Sequence, residues 1–202
     1  MAGRARRAPR ARRPWIAIAV VAIVAVLLVR GFVLQVFWVA SSSMEPTLRP
    51  GDRVLVDELP ARVGSLHRGD IVVFDDPTAP APTATSVFGR VTNWLLAGIG
   101  AAAPQHGAVI KRVIALPGET WEIRRGAVYV DGRRLAEPYL GSPRDRRSFG
   151  PGRVPPEDLF VLGDNRTDSE DSRFPQLGYV PRDTVVGRAV AVVWPPSDAG
   201  WR

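Results

Sequence analysis

The chain has 202 residues, 46% hydrophobic and 23% charged, enough apolar material for a buried core and too little charge for global disorder. Cysteine is absent, which excludes disulfides, thiolate metal sites and a cysteine nucleophile; two histidines, His67 and His106, are too few for a multi-histidine metal site. The net charge of +7 belongs mostly to one tail: six arginines fall in the first 13 residues, no acid precedes Glu45, and the rest holds 21 bases against 20 acids. A nucleic-acid-binding body would keep its excess in the folded part, so no nucleic-acid partner is expected.

Residues 1–14 therefore form a basic tail. Residues 15–29 are a run of 15 without polar side chains; Arg30 and Gly31 interrupt it, and residues 32–40 resume it. A helix crossing the bilayer core needs about 20 mostly apolar residues, and residues 15–34 supply them if Arg30 snorkels to the far interface. Trp15 and Trp38 suit the two headgroup regions, and the leading arginines keep the N-terminus cytoplasmic. The expectation is an anchor with a juxtamembrane segment over 15–38 and an extracytoplasmic body over 39–202. A cleaved secretory signal ending near Ala40 is the rival.

Beyond the anchor, short β-branched runs alternate with Gly/Pro turns at 53–56, 70–74, 109–116, 121–123, 127–130, 159–162 and 184–194. This predicts a mainly β body of antiparallel strands, with a hairpin at Asp131-Gly132. Two stretches break the pattern. Residues 75–107 form an insert that opens on a Pro/Ala-rich loop, and within it residues 87–103 read as an amphipathic helix, either a packing element or a segment lying on a membrane. Within a small excursion over 121–157, residues 136–157 are rich in Pro, Gly and Arg and read as extended.

Three segments carry side chains able to do chemistry. Ser41, Ser42 and Ser43 follow the apolar stretch and precede a turn; alone they read as a polar cap. Lys111 is the single lysine among 27 basic residues. Arginine keeps its proton near neutral pH, whereas a buried lysine can lose it. Alternation along 109–116 places Lys111 on an apolar face with Val109, Val113 and Ala115. Desolvation there lowers its pKa and makes the neutral amine a general base; the alternative is a side chain snorkelling from an edge strand. Residues 163–173 are dense in polar groups. A calcium loop is one reading, but the EF-hand spacing is missing and two arginines oppose a dication; a local network such as Asp171 with Arg173 fits better.

In this order, behind an anchor, these segments resemble the type I signal peptidases, membrane-bound serine/lysine proteases that cut leader sequences from exported preproteins. Ser41-Ser42-Ser43-Met44-Glu45-Pro46-Thr47-Leu48 is similar to the family's nucleophile box. Arg68-Gly69-Asp70-Ile71-Val72-Val73-Phe74 is similar to its structural strand, and Lys111-Arg112-Val113-Ile114-Ala115-Leu116-Pro117-Gly118-Glu119 to its base-bearing box. Gly163-Asp164-Asn165-Arg166-Thr167-Asp168-Ser169-Glu170-Asp171-Ser172-Arg173 is similar to its last box.

The resemblance implies a signal-peptidase-type β-fold and a set of roles. Ser43 is the implied nucleophile and Lys111 the general base. Ser41 shares an oxyanion hole with the Ser43 N–H, and Ser169 orients the lysine amine. Gly163 leaves room beside that amine, Asp171 and Arg173 form a supporting ion pair, and Arg112 is structural. Val39, Ala40, Met44, Leu48, Val109 and Ile110 are the implied walls of two shallow pockets for small residues of an Ala-x-Ala site. No cofactor or metal is implied. The implied partners are signal-peptide-bearing preproteins, membrane lipid and, by proximity, the export translocon. Neither histidine falls in a family box. The rivals are a tethered β-domain that binds peptides without catalysis and a self-cleaving Ser–Lys protease.

Overall fold

The computed structural model describes residues 34–63, 66–76, 107–141 and 145–201, with isolated positions 15, 18, 19 and 21. Twelve strands are formed among these residues, and every pairing is antiparallel. They are β1 (Leu34–Trp38), β2 (Arg53–Asp57), β3 (Ile71–Asp75), β4 (Ala108–Ala115), β5 (Thr120–Arg124), β6 (Ala127–Val130), β7 (Arg133–Arg134), β8 (Phe149–Arg153), β9 (Asp158–Leu162), β10 (Val180–Pro181), β11 (Val185–Trp194) and β12 (Gly200–Trp201). One short helix, α1 (Leu59–Val63), follows β2.

The larger sheet runs β1-β2-β11-β3-β4-β9-β10, with β12 beside β11; the smaller runs β7-β6-β5-β8. Period-2 patterning explains which strands sit where. In β2, Val54 and Val56 are fully buried and alternate with half-buried neighbours. β3 is buried on both faces: Ile71 and Val73 enter one apolar cluster with Phe37, Met44 and Leu48, while Val72 and Phe74 enter another with Val113, Val161 and Val185. A strand that reads as a continuous apolar run is thus central, covered on both sides. A third cluster joins the sheets, with Trp121 stacked on Phe160 at 3.9 Å between ring centroids. The β6–β7 turn has Asp131 at φ 47° and Gly132 at φ 73°, the left-handed pair a tight hairpin demands.

Three features differ from the sequence expectations. Residues 34–38, assigned to the juxtamembrane end of the anchor, form β1 and pair with β2 from Leu34↔Asp57 to Trp38↔Arg53. A short apolar run has no periodicity that separates strand from helix, and here Phe37 is needed in the core. The rest of the expected anchor falls outside the described residues, apart from helical backbone at Trp15, Ile18, Ala19 and Val21; among the described residues no helix is long and apolar enough to cross a membrane. The second difference is β8, in the Pro/Gly-rich excursion. As an edge strand it tolerates Pro151. Gly152 is bare because a Cβ there would lie 2.7 Å from the Trp121 indole. The third is Ala115. A register shift between Val113 and Ala115 turns the strand, so Ala115 joins the inter-sheet cluster with Ile114 instead of sharing the Lys111 face. The helix expected at 87–103 lies outside the described residues; the Asp76 N–H donates to Gly107 O where the chain re-enters β4.

Candidate active site

The chain leaves β1 and turns through a 3-10 element, Ser42–Met44, whose Ser42 carbonyl accepts the Glu45 N–H at 3.0 Å. Val39, Met44 and Leu48, all 2% exposed or less, plug both flanks of this turn into the first apolar cluster. Ser43 is thereby held, itself buried, at the margin of the core.

Lys111 stands mid-strand in β4, opposite Val72, and alternates with Val109 and Val113, which pack on the β3 face carrying Val72 and Phe74. It is 4% exposed, and its Nζ donates to Ser43 Oγ at 2.8 Å. Ser41 Oγ lies 3.1 Å from Ser43 Oγ on the open side. Burial is the main cause that pushes the Lys111 amine below its ordinary value; Arg173 acts in the same direction, while Asp171, Glu170 and Asp76 oppose it. The site is therefore a hydroxyl in contact with an amine biased toward its neutral form.

The segment after β9 wraps the serine turn. The Asn165 N–H donates to Ser43 O at 3.0 Å and Asn165 Nδ2 to Ser42 O at 3.2 Å. Ser42 Oγ donates to Asp168 at 2.5 Å. Asp164 ties the two halves of the site together, accepting Thr47 Oγ1 from the serine turn at 2.5 Å and a bidentate pair from Arg112 of β4 at 2.8 and 2.6 Å. Arg112 also donates to Gly69 O and lies over the Tyr139 ring. Burial pushes the Tyr139 hydroxyl well above its ordinary range. Arg166 pairs with Glu137 and donates to Gly163 O. Behind the site, Arg173 pairs with Asp171 and Asp145, each at 2.7 Å, and Asp171 accepts the Gly163 N–H.

Two implied roles meet different geometry. Ser169 makes no hydrogen bond to Lys111; its Oγ is buried without a partner, because the amine is turned to Ser43. Gly163 makes room for Ser169 and the Ser43 carbonyl: a Cβ would lie 2.2 Å from Ser169 Oγ and 2.5 Å from Ser43 O. Of the six proposed pocket walls, Val39, Met44 and Leu48 are core side chains, Ala40 is exposed, and Val109 and Ile110 are half-buried. β9 pairs only with Arg112, Val113 and Ala115, so among the described residues no strand covers the other edge of Ala108–Ile110, beside the Ser43–Lys111 pair. A cavity of about 340 Å³ between Asp70, Arg188 and Trp201 contains none of these residues and is not the site. Sequence reading placed Thr47, Asp164, Asn165 and Asp168 in the family boxes, with Asp164 and Asp168 weighed only as calcium donors, and gave none of them a role; Glu137 and Tyr139 were not singled out, and the partners of all six lie far along the chain.

These features define a two-sheet antiparallel β-protein with a buried serine–lysine pair at the point where β4 runs past the end of β9 in its larger sheet. The family model described as signal peptidase, peptidase S26, matches residues 12–194, and the chain belongs to that family of hydrolases. It is 38% identical over 178 residues to signal peptidase I of Leptolyngbya laminosa, covering 88% of this chain and 77% of that protein. Signal peptidase I of Mycobacterium tuberculosis (strain ATCC 25618 / H37Rv) is 37% identical over 218 residues, covering 93% and 74%. A solved signal peptidase I from Enterococcus faecalis V583 is 27% identical, covering 61% of this chain and 95% of that one, with a TM-score of 0.41.

Proposed function

We propose that this peptidase removes N-terminal signal peptides from exported preproteins, with Ser43 as nucleophile and Lys111 as general base. The observation that carries the reading is the 2.8 Å contact between the Ser43 hydroxyl and a buried amine whose pKa is lowered. Serine is a weak nucleophile until a base takes its proton, and Ser–Lys pairs are a recognised variant of that arrangement. The neutral amine accepts the Ser43 proton as Oγ attacks the scissile carbonyl. The carbonyl oxygen becomes an oxyanion between the Ser41 hydroxyl and the Ser43 N–H. Collapse of the intermediate breaks the C–N bond, the leaving amine takes the proton from Lys111, and an acyl-enzyme remains. A water deprotonated by the same amine releases the leader peptide.

The uncovered edge of Ala108–Ile110 supplies backbone groups to which an extended cleavage segment adds as a further strand. Half-buried Val109 and Ile110 lie on that edge and, with exposed Ala40 three residues before Ser43, favour small residues, as in Ala-x-Ala. We place the N-terminus in the cytoplasm, a single anchor over the apolar run and the body on the far side, close to lipid and to the translocon. Support comes from the arginine tail ahead of that run and from Ser43 lying nine residues past Leu34, where the sheet begins.

The test is processing of an Ala-x-Ala preprotein in detergent. Ser43→Ala and Lys111→Arg are expected to be equally inactive, since arginine keeps charge and length but cannot surrender its proton. Wild-type processing by Lys111→Arg would sink the mechanism.

A further inference from the structure

We infer that Asn165 is a positioning residue for oxyanion binding, acting through the peptide group that carries the Ser43 N–H. This rests on the reading of Ser43 as nucleophile and of its N–H as an oxyanion donor. A trans peptide group is planar, with its C=O and N–H pointing to opposite sides. The direction of the Ser43 N–H is therefore set by whatever holds the Ser42 carbonyl.

That carbonyl accepts two hydrogen bonds, from Glu45 N–H within the turn at 3.0 Å and from Asn165 Nδ2 across the site at 3.2 Å. The first closes the turn but tilts with it. The second comes from the segment after β9 and fixes the peptide plane relative to the sheet. The same residue grips the next carbonyl too, since Asn165 N–H donates to Ser43 O at 3.0 Å. Thr167 Oγ1 donates to Asn165 Oδ1 at 3.0 Å, which turns the amide so that its NH2 faces Ser42. On the other side, Gly163 lies against the Ser43 carbonyl, where a Cβ would be 2.5 Å away; this carbonyl is in the following peptide plane, so the contact limits movement of the Ser43 backbone as a whole. Two donors on one carbonyl also polarise the peptide group and strengthen its N–H as a donor. The Ser42–Asp168 bond is different in kind: it ties a side chain and leaves the peptide plane free.

The test compares Asn165→Ala, Thr167→Val and Ser43→Ala with wild type, reading kcat and KM for a preprotein, the pH dependence of kcat/KM, and Tm. Removal of an oxyanion donor costs about 10²–10³ in kcat; a donor that is mis-aimed but still present costs less, so Asn165→Ala is expected to lose about 10–100-fold in kcat. KM stays unchanged, because the free edge of β4 is untouched. The acid limb of the pH profile stays in place, because it belongs to Lys111. Thr167→Val, at an exposed position, gives a smaller loss with the same split; should Asn165→Ala fail to fold, this variant decides. Wild-type kcat in the folded variants, with Ser43→Ala inactive, overturns the inference alone. A loss of kcat accompanied by a displaced acid limb also overturns it, since that reports a disturbed Ser43–Lys111 pair. Turnover by Ser43→Ala shows instead that the underlying serine reading is wrong.

Discussion

Gly163→Ala is the sharpest perturbation this site offers, because one methyl group meets the backbone of Ser43, the proposed nucleophile. The new carbon would lie 2.5 Å from Ser43 O and 2.2 Å from Ser169 Oγ, and the first of these falls about 0.9 Å short of the 3.4 Å at which ordinary contact begins. Ser169 can rotate its hydroxyl away but not its Cβ, which would lie 2.6 Å from the new methyl, and the Ser43 carbonyl is pinned by Asn165 N–H, so the Ser169 segment and the serine turn must both give way. The 2.8 Å Ser43–Lys111 contact tolerates only a few tenths of an ångström. A displacement of about 1 Å at reacting groups costs about 10²-fold in rate, and crowding a packed site costs about 1–3 kcal/mol in stability. Preprotein processing in detergent is expected to slow by about 10²-fold with KM little changed, and urea unfolding to report the stability loss. A folded Gly163→Ala enzyme processing at the wild-type rate would refute the close packing of Gly163 on Ser43.

Lys111→Met should stabilise the fold near neutral pH. Burial lowers the folded pKa below the ordinary 10.5, so between those values the unfolded chain binds more protons and wild-type stability rises with pH. The advantage of methionine should therefore shrink as pH climbs toward 10.5, and urea melts at two pH values check it. Asp164→Asn leaves Arg112 buried opposite a neutral amide; the loss should be about 3 kcal/mol, the low end for breaking a buried pair, because one oxygen remains to accept a bond. Unfolding within 1 kcal/mol of wild type would show that Arg112 finds another partner. Ser169→Ala removes a buried hydroxyl that bonds nothing and should leave stability unchanged or raise it by about 1 kcal/mol; a loss in the same melts would reveal a bond to it.

Most strands were legible because β-branched and aliphatic runs bounded by Gly/Pro turns leave few alternatives, alternating in β2 and continuous in β3. β1 was hidden by its position: an apolar run following another apolar run reads as one stretch, and only pairing with β2 separates them. β8 was hidden by composition, since Phe149-Gly150-Pro151-Gly152-Arg153 carries breakers that only an edge beside Trp121 accommodates. At the site, Lys111 stood out because a lone lysine on an apolar face is chemically odd, and the alternation that placed it held until the β4 register shift before Ala115. The clamp was not legible. Asp164 finds Thr47 at a separation of 117 residues and Arg112 at 52, and nothing local distinguishes it from Asp168. The resemblance pointed to Ser169 as the lysine's partner, whereas here the amine is turned to Ser43.

The side chains around the Lys111 amine keep it dry, and dryness is the chief cause that lowers its pKa. If Lys111 is the base, as proposed, it has no reserve: any breathing of the packing that lets a few water molecules reach the nitrogen raises its pKa again and is expected to silence the site while every strand stays paired. Warming, solvent or a loosened core should accordingly switch the protein off well before it melts, so the margin of its activity is narrower than the margin of its fold.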